Sequence, residues 1–92
     1  MNLFETIKAA VPVRQAAEHY GLKVSRNGMA CCPFHNDRHP SLKLNEEYFF
    51  CFGCGATGDV IEFTSKLFDL GSLQAAQRLA VDFGISTEQG QA

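Results

Sequence analysis

Hydrophobic residues in the first twenty positions recur at the three- and four-residue spacing of amphipathic helices. Asn2 is a suitable cap for a first helix over 3–10, because its side chain can accept a hydrogen bond from a free backbone N–H. Pro12 suits the start of a second helix over 13–20, and Gly21 stands where that helix would end. The pattern therefore predicts two short helices at the N-terminal end.

Helical spacing returns after residue 58. Asp59 is the expected N-cap of a third helix, which Gly71 interrupts, and Ser72 is the expected N-cap of a fourth helix that ends at Gly84. The predicted apolar stripe of the fourth helix consists of Leu73, Ala76, Leu79, Ala80 and Phe83.

Between these helical regions the apolar residues alternate with polar ones, as in strands. Two short runs, 22–24 and 29–32, flank an Asn27-Gly28 pair that is typical of a hairpin turn. Further strands are expected over 41–45 and over 48–52, the second of which is rich in aromatic residues. The middle of the chain thus predicts three or four short strands.

Taken together, the patterns predict an α+β fold in which a small antiparallel sheet is flanked by short N- and C-terminal helices. We expect one domain over 1–92. It would comprise helices in 2–20, a ribbon in 21–58, helices in 59–84 and a frayed polar tail in 85–92.

Composition narrows the class of protein. A hydrophobic content of 46% is that of a globular chain and excludes a mainly disordered one. No apolar run is long enough to span a membrane, and the first residues lack the pattern of a signal peptide. We therefore expect a cytoplasmic protein that makes no membrane contact, with its four cysteines reduced.

Charge is distributed unevenly although the net charge is only −2. Residues 21–45 carry four basic side chains against Asp37, a net +3, whereas residues 59–92 carry a net −3. Two patches of opposite sign suggest a surface for a polyanion and a second surface for another partner. The same distribution is also compatible with an ordinary solvated surface.

The strongest chemical signal is a pair of ligand motifs, Cys32-x-x-His35 and Cys51-x-x-Cys54, separated by 15 residues. This spacing is typical of zinc sites, because each two-residue spacer turns two ligand atoms toward a single ion. Thiolate and imidazole ligands in a tetrahedral set favour zinc, although a sulfur-rich site can also take iron. Cys31 could replace Cys32 as a ligand, but the spacer favours Cys32 and leaves Cys31 as a small buried residue.

A catalytic role for this zinc is disfavoured, because four protein ligands leave no open position for water. Zinc-dependent deaminases carry His-x-Glu followed by Pro-Cys-x-x-Cys, whereas Asp37 and Phe50 stand here in place of the Glu and the Pro. We therefore expect one structural Zn²⁺, and no enzymatic activity. In a chain of this size, zinc binding would supply much of the folding free energy.

One set of residues resembles the N-terminal zinc-binding domain of bacterial DnaG-type DNA primases, and the likeness extends over about residues 3–84. The matching residues are Cys32-Pro33-Phe34-His35-Asn36-Asp37, Pro40-Ser41, Phe49, Cys51-Phe52-Gly53-Cys54-Gly55, Gly58-Asp59-Val60 and Phe63. Arg38-His39 and Phe50 depart from the residues usual in that family.

The resemblance implies recognition of a single-stranded DNA template. In that family, primer synthesis belongs to a separate polymerase domain, and another part contacts the replicative helicase. This chain has room for neither. It would then be a primase fragment or a stand-alone accessory protein of a mobile element.

Two hypotheses follow for the function. The first is a single-stranded DNA-binding zinc ribbon, in which basic side chains contact phosphates and aromatic side chains stack on bases. Its expected binding residues are Arg26, Arg38, Lys43, Tyr48 and Phe50, the last two on the strand face opposite Phe49 and Cys51. The second is a protein-interaction adaptor, in which the acidic helices of 59–83 dock on a replicative polymerase, primase or helicase. A regulatory thiol protein without zinc is a third and weaker alternative.

Overall fold

The helices form where helical spacing predicted them. The computed structural model describes residues 2–34 and 39–85, and all helix and strand statements below refer to these ranges. Four helices lie within them: α1 (Leu3–Ala10), α2 (Val13–His19), α3 (Val60–Phe68) and α4 (Ser72–Asp82). None of these helices has the length and apolar character that crossing a membrane requires.

Two of the three predicted side-chain caps are confirmed. The Asn2 side chain accepts a hydrogen bond from the backbone N–H of Glu5 at 2.9 Å, and Asp59 accepts one from Glu62 at the same distance. The predicted cap at Ser72 is wrong, because Gly71 is the N-cap of α4. The Gly71 N–H donates to the side-chain oxygen of Gln74 at 3.3 Å, so the helix begins one residue earlier than its sequence suggests.

Four strands form one antiparallel sheet, in chain order. They are β1 (Met29–Cys31), β2 (Pro40–Leu44), β3 (Phe49–Cys51) and β4 (Thr57–Gly58). The α+β fold class is therefore confirmed. The two-residue strand β4 was not predicted, because it is too short to show an alternating pattern. The division of the chain into one domain with the boundaries given above remains a prediction.

The expected strand over 22–24 does not form. Leu22 instead donates its N–H to the carbonyl of Ala17 at 2.9 Å, which closes the end of α2. The Asn27-Gly28 turn is present, since Ser25 and Met29 are joined by an N–H to carbonyl bond of 2.8 Å and Gly28 has a φ of +80°. Beyond that bond, β1 pairs with β2 and not with the segment before the turn.

The sheet has one buried face and one more exposed face. The buried face, directed at the helices, consists of Ala30, Leu42, Leu44, Phe49 and Cys51, each at most 3% exposed. The register places a second row of residues side by side on the opposite face, which we call the outer face. This row consists of Met29, Lys43, Phe50 and Thr57.

The core joins the buried face to the four helices. In α4 the predicted stripe is only partly correct, because Leu73 is 53% exposed while Ala75, Ala76 and Leu79 are fully buried. The inward face of α4 is thus rotated from the predicted one. Small alanines at these positions let the helix approach α1 and α3 closely.

Candidate metal centre and nucleic-acid interface

Three cysteine sulfurs meet at one end of the sheet. The Sγ atoms of Cys32, Cys51 and Cys54 all lie within 4.8 Å of one another, and those of Cys32 and Cys54 are 4.0 Å apart. Tetrahedral zinc with Zn–S bonds of about 2.3 Å requires sulfur–sulfur distances of about 3.8 Å. The three sulfurs therefore fit a zinc ion with little adjustment, and they are too far apart to form disulfides.

Two turns of the same geometry present the first cysteine of each motif. The N–H of Phe34 points at the Cys32 sulfur at 3.4 Å, and the N–H of Gly53 points at the Cys51 sulfur at 3.3 Å. Each donor lies two residues after its cysteine, so the first three residues of the two motifs fold alike. Cys54 occupies the fourth position of the second motif, and His35 has the corresponding place in the first but lies outside the described residues.

The turn around Cys54 is held by backbone hydrogen bonds. Gly55 donates to the carbonyl of Cys51 at 2.8 Å and adopts a φ of +81°, a conformation that favours glycine. Cys51 itself donates to Ala56 at 2.9 Å, which leads the chain into β4. The second motif is therefore attached to the sheet on both sides.

The first motif is attached to the core through Phe34. Its ring lies 5.7 Å from the rings of both Phe49 on β3 and Phe63 on α3, and those two rings are 5.5 Å apart. Aromatic contacts at these distances are favourable beyond the area they bury. This triad links the metal end of the sheet to the helices.

The structure decides between the adjacent cysteines 31 and 32. Cys32 is buried and belongs to the sulfur cluster, whereas Cys31 is exposed and lies outside it. The expectation that Cys31 would be buried is wrong. Alternation along β1 accounts for the difference, because Ala30 is buried, Cys31 is exposed and the next residue, Cys32, is buried again.

The environment of the cluster is unfavourable for thiolates in the absence of a cation. Burial raises the pKa of the Cys32 thiol to about 12, against a smaller opposing effect from the Phe34 N–H, and the nearby Cys51 and Cys54 raise it further. Zn²⁺ would compensate the negative charge, leaving a net charge of about −1 for three thiolates and one ion.

Aromatic side chains follow β3 along the outer face. Tyr48 is 52% exposed, as the alternation predicted, but Phe50 is only half-exposed. Its ring lies 5.0 Å from the ring of Phe52, which is 70% exposed and was not among the predicted binding residues. We call Tyr48, Phe50 and Phe52 the aromatic row. Phe52 could have been found from the sequence, because it continues the same period-two alternation.

Basic side chains gather at the turn before β1. Lys43 donates from Nζ to the carbonyl of Asn27 at 2.7 Å, and Arg14 donates to the carbonyl of Ser25 at 2.9 Å and to that of Arg26 at 3.4 Å. We call Arg14 and Lys43 the clamp, since both hold the turn that carries the exposed Arg26. No local sequence signal marks Arg14, because its partners lie 11 and 12 residues away.

The predicted binding residues are thus brought together in part. Lys43 is paired directly opposite Phe50, and the turn bearing Arg26 is hydrogen-bonded to Lys43. Tyr48 directly precedes β3, and its carbonyl accepts a hydrogen bond from the N–H of Asn45 at 2.9 Å. Arg38 lies outside the described residues.

A cleft elsewhere on the surface has a charge opposite to that of the basic turn. A cleft of about 420 Å³ between α1, the turn after β2 and the start of α3 carries four carboxylates, with Lys8 as the basic residue among those that line it. The carboxylates belong to Glu5, Glu46, Glu47 and Asp59. The cleft is therefore negatively charged, in contrast to the basic turn near Lys43.

Comparison with known proteins identifies close similarities over the whole chain. A family model described as CHC2 zinc finger matches residues 2–92. DNA primase from Helicobacter pylori (strain J99) is 36% identical over 90 residues, which is 96% of this chain and 15% of that protein. DNA primase from Rickettsia conorii is 44% identical over 63 residues, covering 66% of this chain and 11% of that one.

A solved structure shows the same fold. The crystal structure of the Aquifex aeolicus primase, described as containing zinc-binding and RNA polymerase domains, superposes with a TM-score of 0.80 at 27% identity. The match covers all of this chain and 24% of that chain. The present chain therefore spans only a small part of the length of the primases it matches.

Proposed function

The chain belongs to the CHC2 zinc-finger family of DnaG-type primases, and from this we propose that it binds single-stranded DNA template through the outer face of its sheet. The observation that carries the proposal is the pairing of Lys43 with Phe50, beside the exposed ring of Tyr48. A cation next to aromatic rings on one open surface is the combination that single-strand binders use.

The basic side chains would contact phosphates in this proposal. Arg26 projects from a turn that the clamp holds in place, so its guanidinium is presented by a rigid support. Lys43 contributes its charge although its ammonium is bonded to Asn27. Arg38, between the first metal motif and β2, completes the proposed set. The acidic cleft between α1 and α3 would disfavour DNA on its own part of the surface.

The zinc ion is structural in a family of this kind, and we infer that Cys32, His35, Cys51 and Cys54 are its ligands. The meeting of three sulfurs and the matching N–H contacts in both motifs support this set. His35 would supply the fourth ligand atom, by analogy with Cys54 in the second motif. Such a closed shell holds the sheet together and leaves no position for a reacting water.

Primer synthesis by these 92 residues alone is not part of the proposal. The chain spans 15% of the H. pylori primase, and the Aquifex protein that it matches has an RNA polymerase domain in addition to its zinc-binding domain. We propose a template-binding module that acts with replication proteins in the cytoplasm, where a separate catalytic domain would make the primer.

Binding of moderate strength is expected. The net charge of −2 and the negative zinc site both oppose phosphate, so the affinity should be micromolar or weaker at physiological salt. The direct test is the salt dependence of binding to a fluorescent oligothymidine, measured by anisotropy. Contact with about three phosphates predicts a log–log slope near −2. No measurable binding even at low salt would contradict the proposal.

An adaptor function has one observation in its favour. Leu73 and Val81 are 53% and 80% exposed on α4, about 12 Å apart along the helix axis, and they give this helix exposed apolar side chains. If docking on a replication protein were the main function, Leu73→Ser with Val81→Ser would abolish capture of that protein. Under the same hypothesis, the parent protein would show no oligonucleotide binding.

A further inference from the structure

Phe52 has an exposed ring that the core does not use. Its side chain is 70% exposed, although the residue lies between two of the proposed zinc ligands in a tightly held turn. The Phe52 N–H donates to the carbonyl of Ser41 at 2.8 Å, which continues the pairing of β2 with β3 by one residue. This bond fixes the backbone of Phe52 and directs its ring to the outer face, where Phe50 lies.

The contact between Phe50 and Phe52 restrains the exposed ring. The two ring centroids are 5.0 Å apart and the planes meet at 74°, an edge-to-face arrangement. Phe50 is half-buried and its neighbour across the sheet is Lys43, so its ring is enclosed on more sides than that of Phe52. A ring held in place by a neighbour loses less conformational entropy when a ligand stacks on it.

We propose that Tyr48 and Phe52 are the two stacking platforms of the DNA-binding surface, and that Phe50 is a positioning residue that holds the Phe52 ring. This inference rests on the proposed function and refines it, because Phe50 was expected to contact bases itself. The exposures of 52% and 70% leave both platforms open, whereas Phe50 is partly covered.

The spacing of the platforms determines how the strand is bound. Tyr48 and Phe52 flank the strand β3 and are four residues apart, so their Cα atoms are separated by about 13 Å. Neighbouring bases in a stacked strand are only about 3.4 Å apart. The two platforms therefore hold bases that are not neighbours, and the strand between them is stretched over Phe50 and Lys43. Stacking of this kind accepts any base, so it supplies affinity without sequence preference.

A single introduced tryptophan can report stacking directly, because the chain contains none. Phe52→Trp is expected to show saturable fluorescence quenching when titrated with an oligothymidine of about eight nucleotides, at the concentrations where anisotropy reports binding. Val81→Trp on α4 is the matched control, since that position is 80% exposed on a helix away from the sheet. It should bind the oligonucleotide with no change in fluorescence.

Affinities test the two roles separately. Phe52→Ala is expected to weaken binding about ten-fold, with zinc content and melting temperature unchanged. Phe50→Ala should weaken it less, and should have no further effect in a Phe52→Ala background. Tyr48→Ala, at a separate platform, should add its full effect to that of Phe52→Ala. If Phe52→Ala failed to fold, Phe52→Leu and the fluorescence of the Phe52→Trp variant would serve the same purpose.

The outcomes separate this inference from the function on which it rests. If the parent protein binds no oligonucleotide, the proposed function fails and the inference falls with it. If the parent binds, but the Phe52→Trp variant is not quenched at saturation or Phe50→Ala weakens binding in the Phe52→Ala background, then only the assignment of platforms is wrong. Quenching of the Phe52→Trp variant together with non-additive Phe50 and Phe52 effects would establish it.

Discussion

The two faces of the sheet alternate along the same strands, yet they differ in almost every property. Leu42 and Phe49 on the buried face are fully enclosed by the helices, whereas their neighbours Lys43 and Tyr48 are reached by solvent. The buried face ends at Cys51 in the metal cluster, and the outer face ends at the exposed ring of Phe52. The comparison indicates that the residues of one face maintain the fold, whereas the alternate residues, on the other face, are available for the proposed contact with DNA.

The largest expected effect is at the metal end of the buried face. Cys54→Ala should abolish folding, because zinc contributes on the order of 10 kcal/mol in small zinc domains, as much as their whole stability. Circular dichroism and elemental analysis would measure fold and zinc content together. The control is Cys31→Ala, which removes a thiol outside the cluster and should retain one zinc per chain. A native thermal transition of Cys54→Ala without metal would contradict the structural role of zinc.

Removing zinc from the parent protein should have the same consequence as removing a ligand. A strong chelator is expected to eliminate the cooperative thermal transition, and added Zn²⁺ should restore it. Cys31 is an exposed thiol outside the cluster, and its oxidation could be mistaken for an effect of metal loss. The experiment is therefore repeated on Cys31→Ala under reducing conditions. Persistence of the transition after complete zinc removal would show that the apolar core alone is sufficient.

A smaller effect is expected in the middle of the buried face. Leu42→Ala should lower the free energy of unfolding by about 2–5 kcal/mol, because a fully buried side chain is replaced by a cavity. Denaturant titration in the presence of zinc measures this. Phe52→Ala, on the outer face, should change stability by about 0.5 kcal/mol or less. Equal losses of unfolding free energy in the two variants would mean that the outer face contributes to stability as much as the buried face does.

The smallest expected effect is a change in the salt dependence of binding when a basic side chain is removed. Arg26→Ala should reduce the magnitude of the salt slope for oligothymidine binding by about 0.7, the contribution of one phosphate contact on a single strand. Lys66→Ala removes a charge that is paired with Glu62 on α3 and should leave the slope unchanged. An unchanged slope for Arg26→Ala would show that Arg26 contacts no phosphate and that its turn is not part of the binding surface.

Much of this molecule could be predicted from local patterns. Asn2 and Asp59 mark helix starts because a side-chain oxygen caps free N–H groups within three residues, an interaction that the sequence displays directly. The alternation over 48–52 likewise predicted which side of β3 is buried. The strand predicted over 22–24 failed because a distant contact was decisive, since β2 and not this segment pairs with β1.

The sequence by itself determined the metal motifs, the helix starts and the family to which the chain belongs, since all of these depend on residue types at fixed short spacings. Only the tertiary structure showed that Cys31 is exposed and not buried, because its side chain lies on the face of β1 opposite Ala30 and Cys32. It also brought Arg14 to the turn of Arg26, from 12 residues away. Such contacts depend on how separate elements pack, and no local pattern records them.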